Sequence, residues 1–215
     1  MKKLLTVIAI GALSCLWLLP TASFAAEIRG GLKAGVNLSS IHGADVGDIE
    51  FELGAPWKSK LGAVGGGFIT FNLSPTIAIQ AEALYSMKGA KLNTTVDTTP
   101  VTVTFNGNYL EIPILLKIMI PTQGNLKPSL FAGPALGINL SHKVKAEGGG
   151  MSEEIEIPGY KSTDLGLVFG LGLDIGRNIR TDLRYTLGFT KLVEEGGVTS
   201  DIKNGAFSLM IGYCF

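Results

Sequence analysis

The chain has 215 residues, and its 18 basic and 18 acidic side chains give no formal net charge at pH 7. This balance excludes the basic surface of a typical nucleic-acid-binding protein and a strongly acidic tail. A mean hydropathy of +0.35 and 29 glycines without a collagen period indicate an apolar chain that is neither disordered nor collagen-like.

The first 25 residues have the three parts of a secretory signal peptide. Two lysines follow Met1, Leu4–Leu19 is apolar, and Ser23 and Ala25 are small residues at the −3 and −1 positions. A retained membrane helix would need about 20 apolar residues, which is more than this run provides. Lipoprotein processing at Cys15 fits poorly, because the three preceding residues do not match the usual pattern. We predict cleavage between Ala25 and Ala26, leaving one domain, residues 26–215.

The predicted mature chain contains one cysteine, Cys214, so no intramolecular disulfide can form even in an oxidising compartment. After the signal peptide, no segment is apolar for 18 residues without a charge or a turn, and no transmembrane helix is predicted. An exported, apolar chain without such a helix has the composition of a transmembrane β-barrel.

Eight segments alternate with the two-residue period of β-strands, with large apolar residues on one face and small or polar residues on the other. They cover about Gly31–Ser39, Lys60–Phe71, Ile77–Lys88, Val101–Ile120, Lys127–Ser141, Asp164–Ile175, Ile179–Phe189 and Ala206–Phe215. A bulge is expected in the fourth strand near Asn106–Asn108. Such faces suit a sheet between lipid and a packed lumen.

Short and long connections alternate strictly between these strands. The short ones are about Asn72–Pro75, Pro121–Asn125 and Gly176–Asn178, and the long ones are about Ser40–Ser59, Gly89–Pro100, His142–Lys161 and Thr190–Asn204. This alternation is typical of outer-membrane barrels, which have short periplasmic turns and long extracellular loops. We therefore predict an all-β, eight-stranded, antiparallel up-and-down transmembrane β-barrel in the outer membrane of a diderm bacterium. Both termini would be periplasmic and the long loops extracellular.

Four segments resemble strand motifs of the PorT-like outer-membrane β-barrel family. They are Asn108–Lys117 (NYLEIPILLK), Lys127–Pro134 (KPSLFAGP), Asp182–Tyr185 (DLRY) and Gly212–Phe215 (GYCF). The resemblance covers the mature chain and implies an eight-stranded barrel. Because one founding member is linked to type IX protein secretion, it also implies a structural or accessory component of a cell-surface or secretion assembly.

The final segment resembles the closing strand of outer-membrane barrels, whose terminal aromatic residue is read by the barrel-assembly machinery. Tyr213 and Phe215 lie on its apolar face and are the candidate C-terminal signal. The resemblance therefore implies that the assembly machinery is a partner during insertion. Outer-membrane lipid, and proteins of a secretion or surface complex, are the other expected partners, and no nucleic acid is expected.

The predicted inward faces carry five acidic and five basic residues. These are Lys33, Glu82, Lys88, Glu111, Lys117, Asp164, Asp174, Arg180, Asp182 and Arg184. Charge in a narrow lumen is costly unless it is paired, so equal numbers favour a structural ion-pair network. We assign to this network Glu82, Glu111, Lys117, Asp182 and Arg184. A polar lumen that conducts ions or protons is the alternative.

No motif predicts catalysis, a metal site or a cofactor. His42 and His142, the only histidines, fall in long loops, and the nearby Ser39 and Asp45 belong to no nucleophile-elbow motif. The glycines of 62–67 precede no Lys-Ser or Lys-Thr pair and no helix, so they do not form a phosphate-binding loop. Besides the assembly component, three functions remain open: a stand-alone surface barrel for adhesion or protection, a narrow channel, and a soluble ligand-binding barrel.

Overall fold

A computed structural model describes residues 27–96, 98–156, 161–195 and 198–215. The predicted cleavage site, Ala25–Ala26, lies outside these residues. In chain order the elements are β1 (Glu27–His42), α1 (Val46–Leu53), β2 (Trp57–Asn72), β3 (Ile77–Val96), β4 (Thr99–Met119), β5 (Leu126–Gly148), β6 (Met151–Glu156), β7 (Thr163–Ile175), β8 (Ile179–Gly188), β9 (Val193–Glu195), β10 (Val198–Ser200) and β11 (Lys203–Cys214).

Eight long strands form a closed antiparallel ring in the order β1, β2, β3, β4, β5, β7, β8 and β11. Each pairs with its neighbour in the chain, and β11 closes the ring by pairing with β1 from Gly31↔Cys214 to His42↔Lys203. The predicted all-β, eight-stranded up-and-down barrel is therefore confirmed. We call the end with the short connections 73–76, 120–125 and 176–178 the turn-side end, and the opposite end the loop-side end.

The two faces of each strand differ in the way that the alternation predicts. On β11, Leu209 and Ile211 are 57% and 61% exposed, whereas Met210 between them is 2% exposed. Leu116 and Ile118 of β4 are each half-exposed on the same outer surface. The outer face is therefore an apolar belt, as a lipid-contacting surface requires.

Three segments expected to be loops contain strands. In the one predicted at Thr190–Asn204, β9 and β10 pair as a separate two-stranded sheet. β3 continues to Val96 and β4 begins at Thr99, so they form a hairpin across most of 89–100. β5 continues to Gly148, and β6 pairs along it from Gly148↔Met151 to Lys143↔Glu156. In β3 the alternation of inward and outward side chains continues past the predicted strand end at Lys88. Ala90 and Leu92 are fully buried, while Lys91 between them is exposed. We call residues 89–96, 99–107, 141–148 and 151–156 the extension.

A register shift accompanies the start of the extension. The β4–β5 pairing slips between Asn108 and Tyr109, and the extra residue is Leu140 of β5, whereas the sequence predicts a bulge in the fourth strand at Asn106–Asn108. Because an unpaired residue bends a strand and increases its twist, this slip redirects β5 where it leaves the apolar belt.

The first long connection contains a short helix, α1, which ends at Gly54 in the left-handed conformation (φ 63°). The ring of Trp57 packs edge-on against Phe105 of β4 at 5.0 Å. Phe51 of α1 is 88% exposed. In the part of the chain that the structure describes, no helix combines the length and the apolar character needed to cross a bilayer.

Candidate functional site

Four charged side chains from β1, β3 and β8 meet at the centre of the lumen. Arg184 donates to both carboxylate oxygens of Glu82 at 2.8 and 3.1 Å and to Asp182 at 2.8 Å. The Lys33 ammonium donates to Glu82 at 2.9 Å and also to Asp182. All four side chains are at most 6% exposed. This central cluster is electrically neutral, and charge-assisted hydrogen bonds compensate for its burial.

A second cluster lies towards the loop-side end. Lys88 pairs with Glu111, while Asn204 donates to the Asp164 carboxylate at 3.1 Å and to the Tyr109 hydroxyl at 2.9 Å. The buried Lys60 ammonium adjoins this cluster and donates to the carbonyl oxygen of Lys88 at 3.4 Å. With two carboxylates and two ammonium groups, the loop-side cluster has no net formal charge.

A third cluster lies towards the turn-side end. Asp174 is 3.4 Å from Nε of Arg180 and 3.9 Å from Nζ of Lys117. Arg180 also donates to the hydroxyl of Thr70 at 2.8 Å, next to Gln80. This turn-side cluster has one formal positive charge.

The structure brings three of the five predicted network residues into direct contact, namely Glu82, Asp182 and Arg184. Glu111 and Lys117 lie in the other two clusters, paired with Lys88 and Asp174. Lys33, like Arg184, joins the two central carboxylates; the alternation places it inward, but it is not among the five residues assigned to the network. Neither Tyr109 nor Asn204 was expected to be part of a polar cluster.

Aromatic rings fill the space between the clusters. The ring centroid of Phe68 lies 5.1 Å from Nζ of Lys33 and 5.1 Å from Cζ of Arg180. The ring centroid of Phe131 lies 5.1 Å from Cζ of Arg184. These three contacts are cation–π interactions. Phe131 also belongs to an apolar cluster with Leu115, Ala135 and Val168. The lumen is therefore packed by side chains, as eight strands allow.

The extension has two unlike faces. Its outer face carries the exposed ion pairs Lys143–Glu154 at 2.5 Å and Lys145–Glu147 at 2.6 Å. Its inner face is mainly apolar: Phe105 packs on Trp57, and Met151 and Ile155 are 76% and 63% exposed, with Glu153 between them on the same face. β6 forms one border of the sheet, and all six of its residues are exposed.

The two histidines and the candidate assembly residues occupy separate places. His42 ends β1, and His142 of β5 contacts Asn139 at 3.2 Å. No three His, Cys, Asp or Glu side chains among the described residues are grouped so that they could hold a metal ion. Tyr213 and Phe215 face outward at the turn-side end, with ring centroids 6.1 Å apart. Their role as an assembly signal stays a prediction.

The family model described as "Outer membrane protein beta-barrel domain" matches residues 21–194. The chain belongs to this family and is an integral β-barrel protein of the Gram-negative outer membrane. No curated protein matches the chain.

Three solved structures are similar in outline. Neisserial surface protein A is 13% identical, with 86% of this chain and 97% of that chain covered and a TM-score of 0.43. Ail, the attachment invasion locus protein of Yersinia pestis, is 16% identical, with coverages of 88% and 99% and a TM-score of 0.41. The outer membrane protein OprG from Pseudomonas aeruginosa is 12% identical, with coverages of 87% and 94% and a TM-score of 0.41.

Proposed function

We propose that this protein is a closed barrel that presents its extension as a protein-binding surface, acting as a structural or accessory component of a cell-surface or secretion assembly. The PorT-like strand motifs support the link to an assembly. The grouping of short connections at one end supports an orientation with both termini periplasmic and the extension outside the cell.

The observation that carries this proposal is the amphipathic extension. Closing a barrel does not require β3, β4 and β5 to continue beyond the apolar belt, nor an added β6. A sheet that exposes Met151 and Ile155 beside charged side chains has the character of an interaction surface, because exposed apolar residues rimmed by charge are typical of such sites. The packed lumen disfavours the channel alternative, and the apolar belt disfavours a soluble barrel.

The test is cross-linking in cells, followed by capture of the tagged protein from native outer membrane and mass spectrometry. The test variant is Met151→Ser/Ile155→Ser, which removes the exposed apolar side chains. Its matched control is Leu126→Ser/Ile120→Ser, because these residues are 53% and 45% exposed at the turn-side end.

We expect a stoichiometric partner with the wild type and the control, and its loss with the extension variant. Equal capture by both variants would show that the extension is not the binding surface. Recovery of the barrel alone would contradict the assembly role and favour the stand-alone surface barrel.

A further inference from the structure

A cavity of about 630 Å³ opens at the turn-side end of the barrel. Its charged lining residues are Glu27, Arg29, Lys127, Asp174, Arg177 and Arg180. The cavity shares Asp174 and Arg180 with the turn-side cluster, and it is separate from the extension. Four of its six charged side chains are basic, so the first question is which of them lack an acidic partner.

The two carboxylates account for only part of this positive charge. Asp174 is shared between Arg180 and the buried Lys117, and Glu27, with its side chain 72% exposed, is 3.9 Å from Nε of Arg29. Lys127 and Arg177 are exposed, and neither has a carboxylate within ion-pair distance among the described residues. The cavity therefore contains cations that the protein does not neutralise.

The charge distribution along the lumen adds to this imbalance. With Lys60 included, the loop-side end has no net formal charge and the central cluster is neutral, whereas the turn-side cluster has one formal positive charge. The turn-side cluster lies directly behind the cavity, since Asp174 and Arg180 belong to both. Low-dielectric walls focus such a field on the cavity mouth.

We propose that this cavity binds a phosphate-class oxyanion, with Arg177 and Lys127 as its main donors and Arg29 at its edge. A guanidinium presents paired N–H donors that match tetrahedral phosphate, and an ammonium adds a compact charge. The cavity is large enough for a phosphorylated small molecule. A soluble phosphate and a lipid headgroup share this chemistry.

The first experiment is calorimetric titration of the full refolded chain with inorganic pyrophosphate, in a maltoside detergent that contains no phosphate. The test variant is Lys127→Gln/Arg177→Gln. Because both side chains are exposed and unpaired, it is expected to fold. The control, Lys143→Gln/Lys145→Gln, makes the same charge change in the extension.

We expect equal affinity for the wild type and the control, and affinity weaker by about tenfold or more for the cavity variant, as loss of charge-assisted hydrogen bonds predicts. If the wild type in nanodiscs containing phosphatidylglycerol binds pyrophosphate much more weakly than in detergent, a lipid headgroup competes for the cavity. Equal affinity in both would identify a soluble ligand. Absence of pyrophosphate binding to the wild type, or equal affinity in all three proteins, would overturn the proposal.

Discussion

Glu82 accepts hydrogen bonds from Lys33 and from both terminal nitrogens of Arg184, and its side chain is buried. Glu82→Gln keeps the size of the side chain but leaves Asp182 as the one carboxylate in the central cluster for both Lys33 and Arg184. Breaking a buried pair by removing one partner typically costs about 3–5 kcal/mol. We expect a loss of this size in the free energy of unfolding, measured by urea titration in lipid vesicles.

The matched control for this substitution is Glu154→Gln, which removes the same charge from an exposed pair in the extension. Exposed ion pairs contribute little to stability, so no measurable change is expected. Equal stability of Glu82→Gln and the wild type would contradict the structural role of the central cluster.

Glu111 and Lys88 test the same principle in the loop-side cluster. Glu111→Ala should lower the thermal unfolding midpoint in detergent, because it leaves the Lys88 ammonium buried beside Tyr109 without its main acceptor. Adding Lys88→Met should restore most of the lost unfolding midpoint, because the unpaired Lys88 ammonium is then removed as well. A double variant as unstable as Glu111→Ala alone would mean that lost packing, not the unpaired charge, causes the effect.

Which residues share the lumen could be predicted from sequence, but their pairing could not. The two-residue period placed ten charged side chains on inward faces, but it missed an eleventh, the buried Lys60 of β2. Contacts such as Lys33–Asp182, between residues 149 positions apart, depend on how β1, β11 and β8 are staggered around the ring. The pattern within a single strand contains no information about that stagger.

At the scale of a strand, Gly66 and Gly67 of β2 have opposite environments. A Cβ on Gly66 would collide with the backbone oxygen of Ala83 on β3, whereas a Cβ on Gly67 would have no atom closer than 3.7 Å. Gly66→Ala should therefore cost about 1–3 kcal/mol through overpacking. Gly67→Ala should stay within about 0.5 kcal/mol of the wild type.

Unfolding of both variants in urea, followed by the gel-mobility difference between heated and unheated samples, measures this contrast. Indistinguishable stabilities of the two variants would contradict the close approach of the β3 backbone to Gly66.

The eight strands were predictable because their apolar and polar faces alternate, but their loop-side ends were not. We ended the third strand at Lys88, where polar residues become frequent, yet alternation continues with Ala90 and Leu92 facing inward. β6 was missed because a six-residue strand with three glutamates has a low β-propensity, and its pairing with β5 outweighs that preference.

At the scale of the whole molecule, the apolar belt must contact lipid. Leu209 in the belt and Ile155 in the extension are 57% and 63% exposed, so their exposure alone does not distinguish them. Leu209→Arg should cost about 2–4 kcal/mol in a bilayer, because it places a charge in hydrocarbon. Ile155→Arg makes a comparable change outside the belt and should cost much less. Unfolding in lipid vesicles measures both, and equal costs would contradict the position of the belt.

We propose that the barrel is a closed scaffold, packed by three charged clusters and the rings of Phe68, Tyr109 and Phe131. The test is the ionic current across a planar lipid bilayer after insertion of the purified, refolded protein. We expect no stepwise increase in current for the wild type, because these side chains pack the narrow lumen of an eight-stranded barrel. Reproducible single-channel steps would contradict it and restore the narrow-channel function.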